Sequence, residues 1–282
     1  MRKVYRIISF TILFLLFVFN TNSKAVVAQN AVSIINMNVY VDNNGNAHVT
    51  ETIKCNVTNG TELRHACWNL NNAYITDFSV KESDIDYKLL PDWHDNDSFE
   101  NIAYSCAINE ISEGNFNLCW GIGTKGQHTY TLNYTINNFV TELNDSQIIH
   151  SSLLQGTFFE GAEEVNITIF SDFKYKSDTF LQGYGNDNTS YSINDGCVEI
   201  KYNGKLTNKE DITILAKFPS NTFNTENKLN KGFNEYRNSV ERMIAHKTNF
   251  INNMDKIALP LFIVGIILLY FNKRKLKRNM NQ

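Results

Sequence analysis

A glutamate interrupts a row of apolar residues early in the chain. Glu51 lies between Val49 and Ile53 in a stretch where every second residue is otherwise apolar. A carboxylate on an apolar face needs a partner, because a buried unpaired charge is strongly destabilising. Arg64 follows the next turn in the sequence. We therefore predict a structural ion pair between Glu51 and Arg64, in preference to an acid used in catalysis.

Cysteine is the second residue type that could do chemistry. The chain has five, at Cys55, Cys67, Cys106, Cys119 and Cys197. Disulfides form outside the cytoplasm, and an odd number leaves at least one thiol without a bridge within the chain. The alternative is that these residues are small apolar side chains packed in a core. The sequence leaves both interpretations open.

Metal-binding patterns are weak. His65 and Cys67 are the closest histidine and cysteine, and the chain has no Cys-x-x-Cys, so we predict no metal site. The stretch that starts at Asp42 resembles the start of a calcium loop. However, Gly45 comes too early and position twelve is Ile53, so this stretch predicts a turn.

Catalytic motifs are also absent from the sequence. There is no Gly-x-Ser-x-Gly, no His-Glu-x-x-His and no phosphate loop, so the sequence predicts no catalytic residue and no cofactor. The run Asp92-Trp93-His94-Asp95 follows a proline. It could line a site, although an exposed loop is the preferred interpretation.

The elements that would position these residues are mostly strands. Alternation of apolar and polar residues from Ala31 to about Phe223 predicts a mainly β domain over residues 29–223, an antiparallel β-sandwich built as one unit or as two halves. A hairpin is predicted around Gly45. The other predicted strands cover residues 74–80, 101–108, 116–122, 128–140, 164–170, 190–202 and 212–218.

The pattern changes after the β domain. From Leu229 to Phe250, apolar residues recur at spacings of three and four, which predicts a helical juxtamembrane stalk over residues 224–256. We favour packing of this helix on its own ectodomain over pairing with a second chain.

The two ends predict a membrane topology. Residues 1–28 combine a basic start, an apolar core from Ile7 to Phe19 and small residues placed for cleavage after Ala28. This order predicts a cleaved signal peptide, with an uncleaved anchor as the alternative. Residues 257–271 are uncharged and predict one transmembrane helix, with a buried core helix as the alternative. The basic tail, residues 272–282, is then cytoplasmic and the β domain extracellular.

Charge is distributed unevenly along the chain. Nine of the 26 basic residues lie in the two ends and all 29 acidic residues lie between them, so the middle has a net charge of −12. Phosphate binding needs clustered Lys and Arg, and nucleic acid is therefore not a predicted partner.

Several stretches together resemble a known family. They are VYVDNNGNAHVTETI (39–53), WGIG (120–123), GQHTYTLNYTINNFV (126–140), GYG (183–185) and DITILAKFP (211–219). Their order is similar to that in the bacterial predicted membrane proteins called domain of unknown function 2207. The resemblance implies a secreted β domain on a membrane anchor and implies no established activity.

These observations predict a single-pass membrane protein of the bacterial cell envelope. Its ectodomain is expected to be a non-enzymatic binding or structural module that contacts the lipid bilayer through its anchor and an envelope protein or neutral glycan through its surface. The alternative is an extracytoplasmic enzyme that acts on an envelope polymer, because two carboxylates on neighbouring strands can hydrolyse a glycan without any sequence motif.

Overall fold

The computed structural model describes residues 30–67, 70, 72–94, 98–159, 161–184, 188–207 and 210–246. The predicted signal peptide (1–28), the predicted membrane span (257–271) and the basic tail (272–282) lie outside the described residues. Among the helices that are described, none has the length and apolar character needed to cross a membrane.

The described chain is mainly β, as predicted. In chain order its elements are β1 (Ala31–Val41), β2 (Ala47–Val57), β3 (Glu62–Cys67), β4 (Tyr74–Glu82), β5 (Ile85–Asp86), β6 (Lys88–Leu89), α1 (Phe99–Ile102), β7 (Ser105–Ser112), β8 (Asn115–Gly121), β9 (Gly126–Asn137), β10 (Val140–Glu142), β11 (Gln147–Gln155), α2 (Gly156–Phe159), β12 (Glu164–Phe170), β13 (Phe180–Tyr184), β14 (Thr189–Asn194), β15 (Cys197–Asn203) and β16 (Asp211–Phe218). A further helix, α3, covers residues 233–246.

The strands form three sheets. An eight-stranded sheet has the order β14-β15-β12-β1-β2-β9-β4-β5, and two four-stranded sheets have the orders β10-β11-β16-β13 and β3-β8-β7-β6. The prediction of a purely antiparallel arrangement is wrong at two places, because β1 pairs with β12, and β6 with β7, in parallel. Strand β12 follows β1 by more than a hundred residues, so no hairpin dictates its direction.

The hairpin between β1 and β2 forms as predicted. Val39 pairs with Val49 across the two strands, and Gly45 in the turn has a φ of 77°, which favours glycine. Asp42 closes the turn, since its Oδ1 accepts hydrogen bonds from the N–H groups of Asn44 and Asn46, both at 2.9 Å. This carboxylate is therefore engaged in turn chemistry, as the sequence predicts.

One hydrophobic core serves all three sheets. Alternate residues of β1, β2, β9, β12 and β15 are buried, and they share a continuous cluster with buried residues of β8, β11 and β16. Residues 30–142 and 146–229 belong to one compact unit. The two four-stranded sheets thus pack against the inner face of the large sheet.

Three predicted strands differ clearly from the observed ones. The strand predicted over residues 128–140 ends at Asn137, and Val140 begins β10 in another sheet. The strand predicted over residues 190–202 is a hairpin of β14 and β15, and the turn between them contains Asp195 and Gly196, both with positive φ. The strand predicted over residues 101–108 begins at Ser105, because α1 occupies residues 99–102.

Residues 143–145 and 230–246 belong to a second compact unit. Within it, the Phe233 N–H donates a hydrogen bond of 2.9 Å to Asp145 Oδ1 at the start of α3. Arg237 and Glu241 form an i,i+4 ion pair along the helix. Helix α3 begins at residue 233, whereas the predicted stalk begins at 224, and residues 247–256 of that stalk lie outside the described part of the chain.

Candidate functional site

The three sheets meet around a small internal cavity, which we call the junction cavity. It has a volume of about 10 Å³, which is enough for one water molecule. Residues of β1, β2 and β9 form its floor, and β3 and β11 form its walls: Met37, Val39, Val49, His65, Cys67, Leu70, Tyr134, Ile136, Phe139, Ser151, Ser152 and Leu153. The lining is apolar except for a histidine, a thiol and hydroxyl groups.

Glu51 and His65 form a buried ion pair beside this cavity. Glu51 Oε2 lies 2.6 Å from His65 Nδ1, and the two side chains are 0% and 1% exposed. Glu51 is on the inner face of β2, and His65 is on the face of β3 that points toward it. Glu51 has the partner that the sequence requires, and the partner is an imidazole.

The predicted Glu51–Arg64 pair is wrong. Arg64 is next to His65 in β3, and adjacent residues of a strand point to opposite faces. Arg64 Nε instead donates to Glu62 Oε1 at 2.6 Å, and Trp93 Nε1 donates to Glu62 Oε2 at 2.6 Å. Trp93, from the predicted loop site, is therefore buried in packing, and Asp95 of that run lies outside the described residues.

His65 is the partner of Glu51 that the sequence did not identify. The sequence signal was its spacing of two from Cys67, which places both side chains on one face once β3 is recognised as a strand. The strand was not recognised because its sequence, ELRHAC, has two charged or titratable residues in succession after its one leucine and shows no alternation.

Electrostatics keep the His65 imidazole charged. Burial by itself lowers the pKa of His65, but the charge of Glu51 and the charge and hydrogen bond of Cys67 raise it well above its ordinary value. Tyr134 and Phe159 approach the ring edge-on, with centroids at 5.9 and 5.1 Å. The site therefore holds a buried imidazolium paired with a carboxylate, and the Cys67 side chain lines the same cavity.

The five cysteines form no disulfide in the structure. Cys55, Cys67, Cys106 and Cys119 are buried, and Cys197 is partly exposed. Burial and the charge of Glu82 raise the pKa of Cys55 to about 12, and burial raises the pKa of Cys106 to about 11. Apolar packing is the role that the structure gives to these two side chains.

No group of three His, Cys, Asp or Glu side chains in the described ranges is arranged to hold a metal ion. The Glu51 and His65 pair brings together two such groups. Its geometry is that of an ion pair, with one carboxylate oxygen on one ring nitrogen.

The second candidate surface is the face of the large sheet that points away from the core. Its side chains carry hydroxyl and amide groups, and each alternates with a buried residue. We call this surface the outer face, and its central residues are Asn36, Asn38, Thr50, Thr52, Thr131, Asn133, Asn166 and Thr168. Thr50 Oγ1 donates to Asn133 Oδ1 at 2.9 Å, and Asn166 Nδ2 donates to Asn36 Oδ1 at 3.0 Å.

Charges lie at the margins of the outer face. Lys81 is on β4, and Glu199 and Lys201 are on β15. Lys54 on β2 and Glu164 on β12 lie in the row next to the central ones, and Glu164 Oε1 accepts a hydrogen bond of 2.8 Å from Asn166 Nδ2. Glu199 and Lys201 neutralise each other, with Oε2 and Nζ 3.0 Å apart. The central rows are therefore uncharged, in a domain whose sequence is strongly acidic.

An aromatic patch borders these rows at one end. Phe170, Tyr40 and His48 lie directly opposite one another on β12, β1 and β2. The Tyr40 ring centroid is 5.6 Å from that of Phe170 and 5.8 Å from that of His48. The Tyr40 hydroxyl donates to Asp172 Oδ1 at 3.0 Å, and His48 Nε2 lies 3.2 Å from Asp42 Oδ2. These contacts hold the patch in a fixed orientation.

The comparisons with known proteins identify a family and give no activity. Residues 32–218 match the family model described as predicted membrane protein (DUF2207), N-terminal domain. A comparison of the sequence with curated proteins found no match.

Solved structures show only distant similarity. A predicted nutrient-binding protein of Legionella pneumophila has a TM-score of 0.42 at 9% identity, and the alignment covers 67% of each chain. Leukotriene A4 hydrolase of Saccharomyces cerevisiae has a TM-score of 0.39 at 10% identity, over 67% of this chain and 29% of the hydrolase. An M1 zinc metallopeptidase of Deinococcus radiodurans has a TM-score of 0.31 at 10% identity, over 67% of this chain and 43% of the peptidase. At these TM-scores the similarities carry no argument about function.

Proposed function

The chain belongs to the DUF2207 family of predicted membrane proteins, and from that premise we propose that it is a single-pass, membrane-anchored binding protein of the bacterial cell envelope. Its extracytoplasmic β domain binds a neutral glycan on the outer face. The observation that carries the proposal is the aromatic patch of Tyr40, His48 and Phe170 beside uncharged rows of threonine and asparagine.

The chemistry of this surface fits a neutral sugar polymer. Hydroxyl and amide groups donate and accept hydrogen bonds, as sugar hydroxyls do, and an aromatic ring packs against the apolar C–H face of a sugar ring. Strands lie about 4.8 Å apart and alternate residues of one strand about 6.7 Å apart, so the groups form a regular grid. Regularly spaced hydrogen-bonding groups suit a polymer whose sugar units repeat along its length.

Charge favours a neutral ligand over an anionic one. The central rows of the outer face carry no charge, and the middle of the chain has a net charge of −12. A net negative field repels anionic polymers and anionic lipid surfaces. The proposal therefore commits to a neutral polysaccharide.

The anchor is inferred from the sequence alone. Residues 257–271 would cross the membrane, residues 272–282 would lie in the cytoplasm, and residues 1–28 would direct export of the β domain. The stalk would then hold the outer face close to its own membrane, within reach of the envelope polymers there.

An enzyme that acts on an envelope polymer is the second candidate. The Glu51–His65 pair and the Cys67 thiol at the same cavity favour it, because carboxylate, imidazole and thiol side chains are the groups used in nucleophilic catalysis. The junction cavity measures about 10 Å³, which is room for about one water molecule and far too small for a sugar ring. The outer face is therefore the preferred site for a polymer.

The two functions are separated by one experiment. Full-length protein in detergent is incubated with an insoluble neutral polysaccharide and, in parallel, with an insoluble anionic one, and both retained protein and released sugar are measured. Retention on the neutral polymer without release of sugar supports the proposal. Stronger retention on the anionic polymer, or steady release of sugar, would overturn it.

A further inference from the structure

We propose that the ligand of the outer face is a single, twisted chain of neutral sugars that lies across the strands, along the three rings of the aromatic patch, and not a flat crystalline array of such chains. This inference rests on the proposed function and adds the shape and direction of the ligand. The geometry of the three rings carries it, together with the hydrogen bonds that hold them.

The three rings form one row that crosses the strands. Tyr40 on β1 lies opposite Phe170 on β12 and opposite His48 on β2. Adjacent strands are about 4.8 Å apart, so the row extends over roughly 10 Å at right angles to the strand direction. Each ring centroid is 5.6 or 5.8 Å from the next, which is close to the length of one sugar unit in a linear polysaccharide. A sugar chain that follows the row therefore places one unit over each ring.

The planes of the three rings differ in direction. The plane of Phe170 is tilted by 43° from that of Tyr40, and the plane of His48 is tilted by 25° from that of Tyr40. A flat array of chains can lie against the face of one ring only, because the next ring is inclined to it. Consecutive units of a twisted chain are themselves rotated relative to one another, so each unit can contact its own ring.

Hydrogen bonds hold the rings at these angles. The Tyr40 hydroxyl donates to Asp172 Oδ1 at 3.0 Å, and His48 Nε2 lies 3.2 Å from Asp42 Oδ2. The other ring nitrogen, His48 Nδ1, lies 3.3 Å from Thr135 Oγ1 on β9. A site that is fixed before binding loses little conformational freedom when its ligand binds. The fixed ring angles therefore discriminate between ligands of different shape.

Exposure and charge at the row fit a neutral sugar chain. Tyr40 and Phe170 are partly exposed, and the His48 side chain is 48% exposed, so a ligand can reach all three rings from solvent. The carboxylates of Asp42 and Asp172 lie beside the rings and repel an anionic polymer. An uncharged sugar chain avoids this repulsion and offers an apolar C–H face to each ring.

The first test varies the shape of the ligand at constant chemistry. Full-length protein, in a detergent without a sugar headgroup, is mixed with crystalline cellulose, with amorphous cellulose and with insoluble amylose, a neutral glucan whose chain is helical. Dissociation constants are measured by depletion and compared in place of capacities, since amorphous material exposes more chain. A flat surface loses contact with at least one ring, so binding to amorphous cellulose or to amylose should be about tenfold tighter than to crystalline cellulose.

The outcomes separate this inference from the proposed function. Equal or tighter binding to crystalline cellulose would overturn the inference and leave the proposed function in place. Binding to none of the three neutral polymers would contradict the proposed function as well.

A series of oligosaccharides tests the row itself. Soluble oligosaccharides of increasing length, made from the polymer that binds, are titrated by calorimetry. The affinity of the wild type should rise by about fivefold from two to three sugar units and change little beyond three. Phe170→Ala keeps two of the three rings and should lose this gain, whereas Phe99→Ala on α1 should behave as the wild type does. Circular dichroism checks that both variants are folded. The same gain in a folded Phe170→Ala protein would overturn the assigned direction of the chain.

Discussion

Glu51 on β2 and His65 on β3 form an ion pair across two sheets, with 2.6 Å between Oε2 and Nδ1 and almost no solvent exposure of either side chain. The two strands belong to different sheets and do not pair with each other. This contact therefore links the large sheet to one of its covering sheets by a charge interaction in the core.

Removal of one partner should destabilise the protein strongly. Glu51→Ala leaves an imidazolium buried without its counter-charge, and loss of one member of a buried pair costs about 3–5 kcal/mol. Urea unfolding of the wild type and the variant measures this loss. Glu199→Ala, in the exposed pair with Lys201, is the matched control and should change the free energy of unfolding by much less than Glu51→Ala does.

The double variant Glu51→Leu with His65→Leu should lose less stability than Glu51→Ala. An apolar pair of similar volume avoids the desolvation of two charges. A double variant that is less stable than both single variants would contradict this account of the pair.

Stability should decline on the alkaline side because of His65. Its pKa is above the ordinary value in the folded protein, so the folded state keeps a proton that the unfolded chain releases above about pH 6.5. The contribution of the pair is complete below that pH and is lost as the pH rises through the folded-state pKa. Between pH 6 and 8, the unfolding free energy of the wild type should fall relative to that of His65→Gln, and parallel curves would contradict the assignment.

His150 should have the opposite effect on the acid side. Burial lowers its pKa to about 4, so between about pH 6.5 and 4 the unfolded chain binds a proton that the folded protein does not. The unfolding free energy should therefore fall as the pH falls through this range. In His150→Gln, the unfolding free energy measured with urea should change less over this pH range than it does in the wild type. If the decline were the same in both proteins, groups other than His150 would be its cause.

Topology can be tested with an introduced cysteine in the tail and the natural Cys197 in the β domain. Asn281→Cys should resist a membrane-impermeant maleimide in intact cells and react after permeabilisation, whereas the partly exposed Cys197 should react in both cases. Labelling at position 281 in intact cells would contradict a cytoplasmic tail.

The fold was predictable where the pattern is local. Strands β1 and β2 follow from strict alternation, and their turn follows from Asp42 and Gly45. Strand β11 was missed because its sequence, QIIHSSLLQ, is buried on both faces over most of its length and shows no period of two. Sheet order and parallel pairing depend on contacts between distant segments, which no local pattern encodes.

In the candidate site, too, local features were predictable and contacts between distant segments were not. The requirement that Glu51 have a partner was predictable from its own strand, but the identity of that partner depends on the direction in which β3 faces. Arg64 and His65 are neighbours in sequence. If the register of β3 shifted by one residue, Arg64 would face the core in place of His65. Likewise, Tyr40 and Phe170 are brought together only by the parallel pairing of β1 with β12.

The central claim is that the outer face binds a neutral glycan through its aromatic patch. The most direct measurement compares Phe170→Ala with Phe99→Ala, which removes a partly exposed phenylalanine from α1, away from the outer face. Binding of full-length protein to the neutral polysaccharide that retains it is measured by depletion over a range of polymer concentrations. An aromatic contact contributes about 0.5–1.5 kcal/mol beyond its buried area, so Phe170→Ala should weaken binding by about tenfold, while Phe99→Ala should bind as the wild type does. Equal binding by the two variants would contradict the account.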